Sequence, residues 1–397
     1  MPERLYLDHA ATTPLTAAAR AAVAEGWARW ANPSSPHAEG RAARAALEAA
    51  RRDIAAAYGW RHEVLLTGGA TEALAIALNR AVATRRLVSA VEHDAVLRVC
   101  PEAEVLPVDR EGLVCTAIVT PALSRGPATL TCLQEEAGPR VDPPPPFQRC
   151  CAPPEPWAAS PGATEGRALL CVQWANSETG VRQPIAEIAE AVHAAGHLLL
   201  VDAAQMPADA DGDVAAHADF VALSAHKRGG PPGVGALLVR DLGTLAPTGG
   251  QERGYRPGTE NLPGALGYAA ALAEPEPIER WAALRDRLDD AIARSGGEPV
   301  VAGHHRHPAI GSYRMPGVSA ATQLIRFDLA GIAVSAGSAC SSGSMKPSHV
   351  LAAMGWGEEA SREVVRISFG RDTREADVTR VIAAWRDIAR AARRIAA

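Results

Sequence analysis

Two stretches, "HLLLVDAAQ" (197–205) and "DFVALSAHK" (219–227), decide the fold. Each opens as an unbroken apolar run and closes on polar residues. A strand stays apolar on consecutive residues only when both of its faces are covered, as in a parallel sheet sandwiched between helices. "ALLCVQWANSETG" (168–180), "EVLLTGG" (63–69) and "GALLVR" (235–240) have the same character. Between and before them lie helical segments. "LTAAARAAVAEGWARWA" (15–31) and "GRAARAALEAARRDIAAAYG" (40–59) are alanine-rich with charges at helical spacing, and "TEALAIALNRAVA" (71–83) starts a helix with Thr71 near its cap. The polar clusters fall at the carboxyl ends of the strands, where such sheets bind ligands.

Beyond about residue 262 the pattern changes. The stretch 264–297 reads as helix interrupted at its Pro-Glu-Pro, short strands follow, and 374–397 is a final amphipathic helix. The expected division is a large domain over 13–262 and a smaller α+β domain made of 1–12 and 263–397. With 397 residues, 47% hydrophobic and 21% charged, the composition is that of an ordinary globular protein. The net charge of −5 argues against a nucleic-acid surface. No apolar run approaches the roughly 18 residues of a membrane span, and no signal segment opens the chain, so the expected location is cytoplasmic. Seven cysteines without ligand spacing make neither a disulfide framework nor a zinc site.

The candidate chemistry begins at Lys227, placed between a strand and the turn "RGGPPG". A lone lysine is usually a solvated charge, but Ser224 and His226 flank this one and can donate to an anion. "TGGAT" (67–71) offers backbone N–H groups at a helix start, a common phosphate seat and, alone, a weak signal. Asp202 ends an apolar strand, where a carboxylate needs a partner. It could also cap the following segment, and His93 could be an ordinary surface histidine. Phosphate cradle, carboxylate and lysine together describe a pocket for pyridoxal phosphate with Lys227 as its Schiff-base lysine. Separately, "AGSACSSGSMK" (336–346) sets Cys340 among glycines and serines, either as an incidental turn residue or as a nucleophile.

The chain resembles cysteine desulfurases of the NifS/IscS type, within the class V aminotransferase group. The matching stretches are "YLDHAATTP" (6–14), "NPSSPHAEGR" (32–41), "TGGATEA" (67–73), "EHDAV" (92–96), "ANSETG" (175–180), "VDAAQ" (201–205), "SAHKRGGPPGVGAL" (224–237), "GGQERGYRPGTEN" (249–261), "GSACSSGS" (337–344) and "VVRISFG" (364–370). The resemblance implies a type I pyridoxal phosphate-dependent transferase fold, its large domain built on a mostly parallel seven-stranded sheet. It implies that Lys227 holds pyridoxal 5'-phosphate covalently. Ala70, Thr71, Ser224 and His226 would hold the phosphate, with Thr259 reaching it from the other subunit of a homodimer. Asp202 would pair with the ring nitrogen, Gln205 and Asn176 would face the ring oxygen, and His93 would stack on the ring and shuttle protons. Arg366, assisted by Asn176, would bind the carboxylate of the substrate, L-cysteine. Cys340, as thiolate, would take the sulfur as a persulfide and leave L-alanine. The loop around it resembles the branch that hands sulfur to iron–sulfur scaffolds or tRNA-thiolation proteins. No resident metal is implied, only a transient iron–sulfur contact at Cys340.

Residues 115–167 depart from the pattern. They hold four of the seven cysteines and a Pro143–Pro146 run, where the family has a helix and strand leading into "ANSETG". An insertion, a disordered excursion and a corrupted translation all fit. Gly69, where serine is common, and Trp174 are smaller departures. Rival readings are another class V enzyme (a selenocysteine lyase or an aminotransferase), a degenerate copy that only binds partners, and a metal-binding insert.

Overall fold

The structure is a computed structural model that describes residues 4–124, 166–303, 305–336 and 347–396. Its centre is a seven-stranded sheet. In chain order the strands are β2 (Glu63–Thr67), β3 (Arg85–Ser89), β4 (Glu104–Leu106), β5 (Ala168–Gln173), β6 (Leu198–Asp202), β7 (Phe220–Ser224) and β8 (Gly235–Val239), after a short β1 (Leu5–Tyr6) that lies outside this sheet. The spatial order is β2-β8-β7-β6-β5-β3-β4. All run one way except β8, which is antiparallel to both neighbours. The cause is the connection: the segment between β7 and β8 has no helix long enough to carry the chain back across the sheet, so the chain reverses. The mostly parallel seven-stranded sheet expected for the large domain is therefore what the chain adopts.

Strands β5 to β8 bury every residue. Leu170, Val172, Leu199, Val201, Val221 and Leu223 pack into one core, while Leu169, Cys171, Leu198, Leu200, Phe220 and Ala222 pack into another on the opposite face. That alternation is why these runs read as unbroken apolar sequence. Each fully buried Leu, Val or Phe contributes about 1.5–3 kcal/mol. The helix expected from Thr71 spans Ala70–Arg80, and its cap is Gly69, without a side-chain bond to the first turn.

A second, four-stranded sheet orders β12 (Ser335–Ala336), β13 (Val364–Ser368), β10 (Ile310–Arg314) and β9 (Glu298–Pro299), and β1 pairs with β11 (Ile332–Ala333). The interrupted stretch 264–297 forms two helices, Leu262–Leu272 and Ile278–Ala293. The second of these and the final helix Glu375–Ala396 cover the small sheet, with Trp281, Leu288, Tyr313, Phe327 and Trp385 in its core.

Part of the odd segment 115–167 folds. Thr116–Ser124 is a helix whose Val119, Ala122 and Leu123 are buried, and Arg85 donates to the Ala122 and Leu123 carbonyls at its end. The helix lacks charges and contains a proline, so no amphipathic period marks it in the sequence. The strand expected next is β5, which lies inside the sheet between β6 and β3. The Pro143–Pro146 run lies outside the described residues.

One buried ion pair fixes the loop 249–261. Arg51 holds Glu252 through bonds of 2.6 and 3.0 Å, and the same carboxylate accepts from Leu66 N–H at 2.8 Å. Removing one member of such a pair strands the other charge, which costs about 3–5 kcal/mol. Glu252→Ala is therefore expected to lower the unfolding free energy by about that amount in urea titrations. A loss under about 1 kcal/mol would show that the pair does not anchor the loop.

Candidate active site

The sheet register brings the candidate residues to one end. Gln173, Asp202 and Ala222 lie side by side across β5, β6 and β7. Thr67, Gly235 and Ser224 form the corresponding row across β2, β8 and β7. Ser224 thus stands beside the Gly68–Gly69 turn, where a Cβ on Gly235 would come within 2.7 Å of Gly69 Cα. Gly69 sits at φ +139°, a conformation suited to glycine. With no side chain capping this helix, the N–H groups of Ala70 and Thr71 stay open to an anion.

Lys227 follows β7 in a single 3₁₀ turn, Ala225–Lys227. The N-terminal segment packs over that turn. Thr13 N–H donates to the His226 carbonyl, Thr13 Oγ1 to the Lys227 carbonyl, and Lys227 Nζ to the Ala10 carbonyl at 2.6 Å. Burial pulls the Lys227 pKa down to about 8, helped by the charges of Arg366 and Arg228 and opposed by Asp202 and Asp8. His226, hydrogen-bonded to Thr12 Oγ1 at 3.1 Å, is pulled to about 4 by burial and by its cationic neighbours Lys227 and Arg228.

Asp202 is buried, and the one hydrogen bond to its carboxylate among the described residues comes from Ala204 N–H at 3.0 Å. Burial pushes its pKa up, against the Ala204 bond and the charges of His93 and Lys227. His93 caps the helix Asp94–Val99, its Nδ1 accepting from Ala95 N–H at 3.1 Å, which leaves the proton of the neutral ring on Nε2. Burial lowers its pKa, so the neutral ring dominates. The preceding Glu92, missed in the sequence, is fully buried and pushed up to about 8 by burial. It accepts from Ser89 Oγ at 2.5 Å and Gln173 N–H at 2.9 Å, and so joins β3 to β5 beneath His93.

Arg366 lies at the centre of the small sheet, opposite both Ser312 and Ser335. Its guanidinium donates to the Ser177 carbonyl at 2.7 Å and to Asp8 Oδ1 at 2.8 Å, while its Nε is buried without a partner among the described residues. The Asp8 carboxylate shows that this fork accepts such a group here. Asn176 is engaged in its own loop. Its Oδ1 accepts from Glu178 N–H, Thr179 N–H and Thr179 Oγ1, and its Nδ2 donates to the Val91 carbonyl. Gln205 donates to the Ala10 carbonyl at 2.9 Å. Trp174 is buried and bonds Asp211 at 2.7 Å, a packing role. Thr259 is exposed.

Cys340 lies outside the described residues, but its flanks do not. β12 pairs Ser335 with Arg366 on one side. On the other, Ser348 Oγ donates to Glu178 at 2.6 Å, and His349 Nε2 lies 2.9 Å from the Glu92 carbonyl. Cys340 is the fourth residue after Ala336, a reach of at most about 14 Å. Among the described residues no group of His, Cys, Asp and Glu could hold a metal ion, and no helix is long and apolar enough to cross a membrane.

This arrangement can seat a phosphorylated aromatic ring: N–H groups and Ser224 for an anion, an under-bonded Asp202 for a ring cation, and the Lys227 amine within the field of Asp202. Known proteins are similar to this chain over nearly its whole length. A cysteine desulfurase of Gluconacetobacter diazotrophicus is 34% identical over 95% of this chain and 91% of its own length. Another, from Bradyrhizobium diazoefficiens, is 37% identical over 97% and 94%. The crystal structure of a NifS-like protein from Rickettsia africae superposes with a TM-score of 0.78 at 26% identity, covering 97% of this chain and 99% of that one. The model of the family described as Aminotransferase class-V matches residues 5–134 and 159–381, breaking only inside the segment that the sequence marked as atypical. With that match over most of its length, the chain belongs to the class-V aminotransferases.

Proposed function

We propose that the protein is a cysteine desulfurase that uses pyridoxal 5'-phosphate bound at Lys227. The observation that supports this best is a convergence. Lys227, Asp202 and His93 share one electrostatic field with Arg366 nearby, and both flanks of the Cys340 segment are fastened beside Arg366 and Glu92. Ala70, Thr71, Ser224 and His226 would hold the phosphate, with Thr259 of a second copy completing it in a homodimer. Asp202 would face the ring nitrogen, Gln205 and Asn176 the ring oxygen. When bound, the cofactor supplies an electron sink that loosens substrate bonds next to the amino group.

The chain's own residues do the rest. Arg366 takes the carboxylate of L-cysteine, in the seat that Asp8 now shares. Asn176 can assist only by giving up part of its loop bonding. The Lys227 amine and His93 Nε2 hold and move protons at the substrate. The Cys340 thiolate attacks the substrate sulfur. An S–S bond forms, the C–S bond breaks, and the carbon left behind gains a proton as L-alanine. The persulfide then passes to an acceptor, for which an iron–sulfur scaffold or a tRNA-thiolation protein is suitable, in a cytoplasmic setting that keeps thiols reduced. An aminotransferase would need Lys227 and Asp202 but not Cys340.

The direct test is to give the cofactor-loaded protein L-cysteine and a reducing thiol. Alanine and sulfide are expected in equal amounts, and alanine without sulfide would refute the reading. Loading itself needs the neutral Lys227 amine. With a pKa near 8, the loading rate of the cofactor-free protein is expected to rise about tenfold per pH unit below that point and level off above it. A rate that is flat between about pH 6 and pH 9 would count against Lys227 as the attachment point.

A further inference from the structure

One short segment serves both functional cations. Arg366 donates to the Asp8 carboxylate at 2.8 Å, and two residues later the Ala10 carbonyl accepts from Lys227 Nζ at 2.6 Å. Two steps of extended chain span at most about 7 Å between Cα atoms. Asp8 also acts on Lys227 directly, its negative charge opposing the pull of Arg366 on the amine.

The carboxylate is presented by a backbone that is fastened independently of it. Leu7 N–H donates to the Ala333 carbonyl, and the Leu7 carbonyl accepts from Ser368 N–H, both at 2.9 Å. The Asp8 carbonyl accepts from Ala11 N–H at 3.1 Å and from Thr12 N–H at 3.3 Å, and the Tyr6 hydroxyl donates to it at 3.1 Å. Ala10 N–H donates to Ser368 Oγ at 2.9 Å. Asp8 therefore does not depend on Arg366 for its place. A guanidinium has five N–H donors, and Asp8 and the Ser177 carbonyl each accept from one of its two terminal nitrogens. The fork can add the carboxylate of a ligand without releasing Asp8.

The charges then limit what the ligand can carry. Asp8 offsets Arg366 before any substrate arrives. The charges that act most on Lys227 are those of Arg366, Arg228, Asp202 and Asp8. Arg228 is paired with Glu276 at 3.0 Å, so none of these offers a spare cation to a second acid group. We propose that Asp8 is a positioning and specificity-determining residue, which aims the Arg366 fork and restricts the site to amino acids with a single carboxylate. The proposal rests on Arg366 as the substrate-carboxylate seat and narrows the substrate class to amino acids with an uncharged side chain.

The test compares L-asparagine with L-aspartate, alike in shape and different in charge, by the change in cofactor absorbance as each is added to the loaded protein. Neither contains sulfur, so the result is independent of sulfur removal. The parent is expected to bind L-aspartate at least about tenfold more weakly than L-asparagine. Asp8→Asn keeps an oxygen for Arg366 and removes the charge, and should narrow that gap to less than about threefold. Asp8→Glu brings the charge back and should restore the gap. Equal binding of the two by the parent overturns the proposal, whether or not the variants fold. So does an undiminished gap in Asp8→Asn. Failure of the seat itself shows differently: L-alanine would then bind no better than ethylamine, which lacks a carboxylate, and that result overturns the role of Arg366 along with that of Asp8.

Discussion

Lys227→Ala is expected to purify colourless after incubation with pyridoxal phosphate and to lose alanine production by on the order of 10³-fold or more. The side chain has two tasks in the proposed function, covalent attachment and proton transfer. The residues beside it cannot take over the attachment, because the Arg228 guanidinium is paired with Glu276 and His226 is an imidazole hydrogen-bonded to Thr12. The substitution should leave the fold intact. Lys227 occupies a turn rather than the core, and its one side-chain hydrogen bond among the described residues is to the Ala10 carbonyl. Attachment can be mapped directly, since Lys227 and Lys346 are the only lysines among the chain's 40 Lys and Arg residues. Reduction with borohydride should leave the added mass on the peptide containing Lys227. Finding it on the Lys346 peptide, or finding full colour in the variant, would refute the assignment.

Cys340→Ala has the opposite signature. The variant should bind the cofactor with unchanged colour, because Cys340 is not among the groups that would hold it. Sulfide release from L-cysteine should fall by on the order of 10³-fold or more, the scale on which an enzyme feels the loss of a covalent nucleophile. In the parent protein, a mass spectrum after brief exposure to L-cysteine should show one extra sulfur atom on the Cys340 peptide. Cys171 is a useful internal control. It is fully buried and its thiol is held well above its ordinary pKa, so it should stay unmodified. Full activity in Cys340→Ala would favour an aminotransferase.

Lysine scarcity was a signal in plain view. A chain that builds nearly all its positive charge from arginine has little use for lysine as a surface charge, which weakens the ordinary reading of Lys227. Glu92 could have been suspected from its place in "EHDAV", but nothing local says that a glutamate beside His93 is fully buried. Its environment comes from β3 and β5, separated by almost eighty residues of chain. Asp8 and Ala10 are similar cases. Their importance comes from lying across Arg366 and Lys227, more than two hundred positions away.

The sequence by itself determined the sheet and the identity of the chemical groups. Unbroken apolar runs have only one stable setting, between two covering layers, and polar residues at their ends then have to gather at one edge. The tertiary structure alone decided which groups are charged and what each side chain faces. Burial and the nearness of Arg366 and Arg228 set the Lys227 pKa near 8, and loop packing committed the Asn176 amide to its own backbone. Desolvation and Coulomb energy depend on distances through space, and local sequence does not encode those distances.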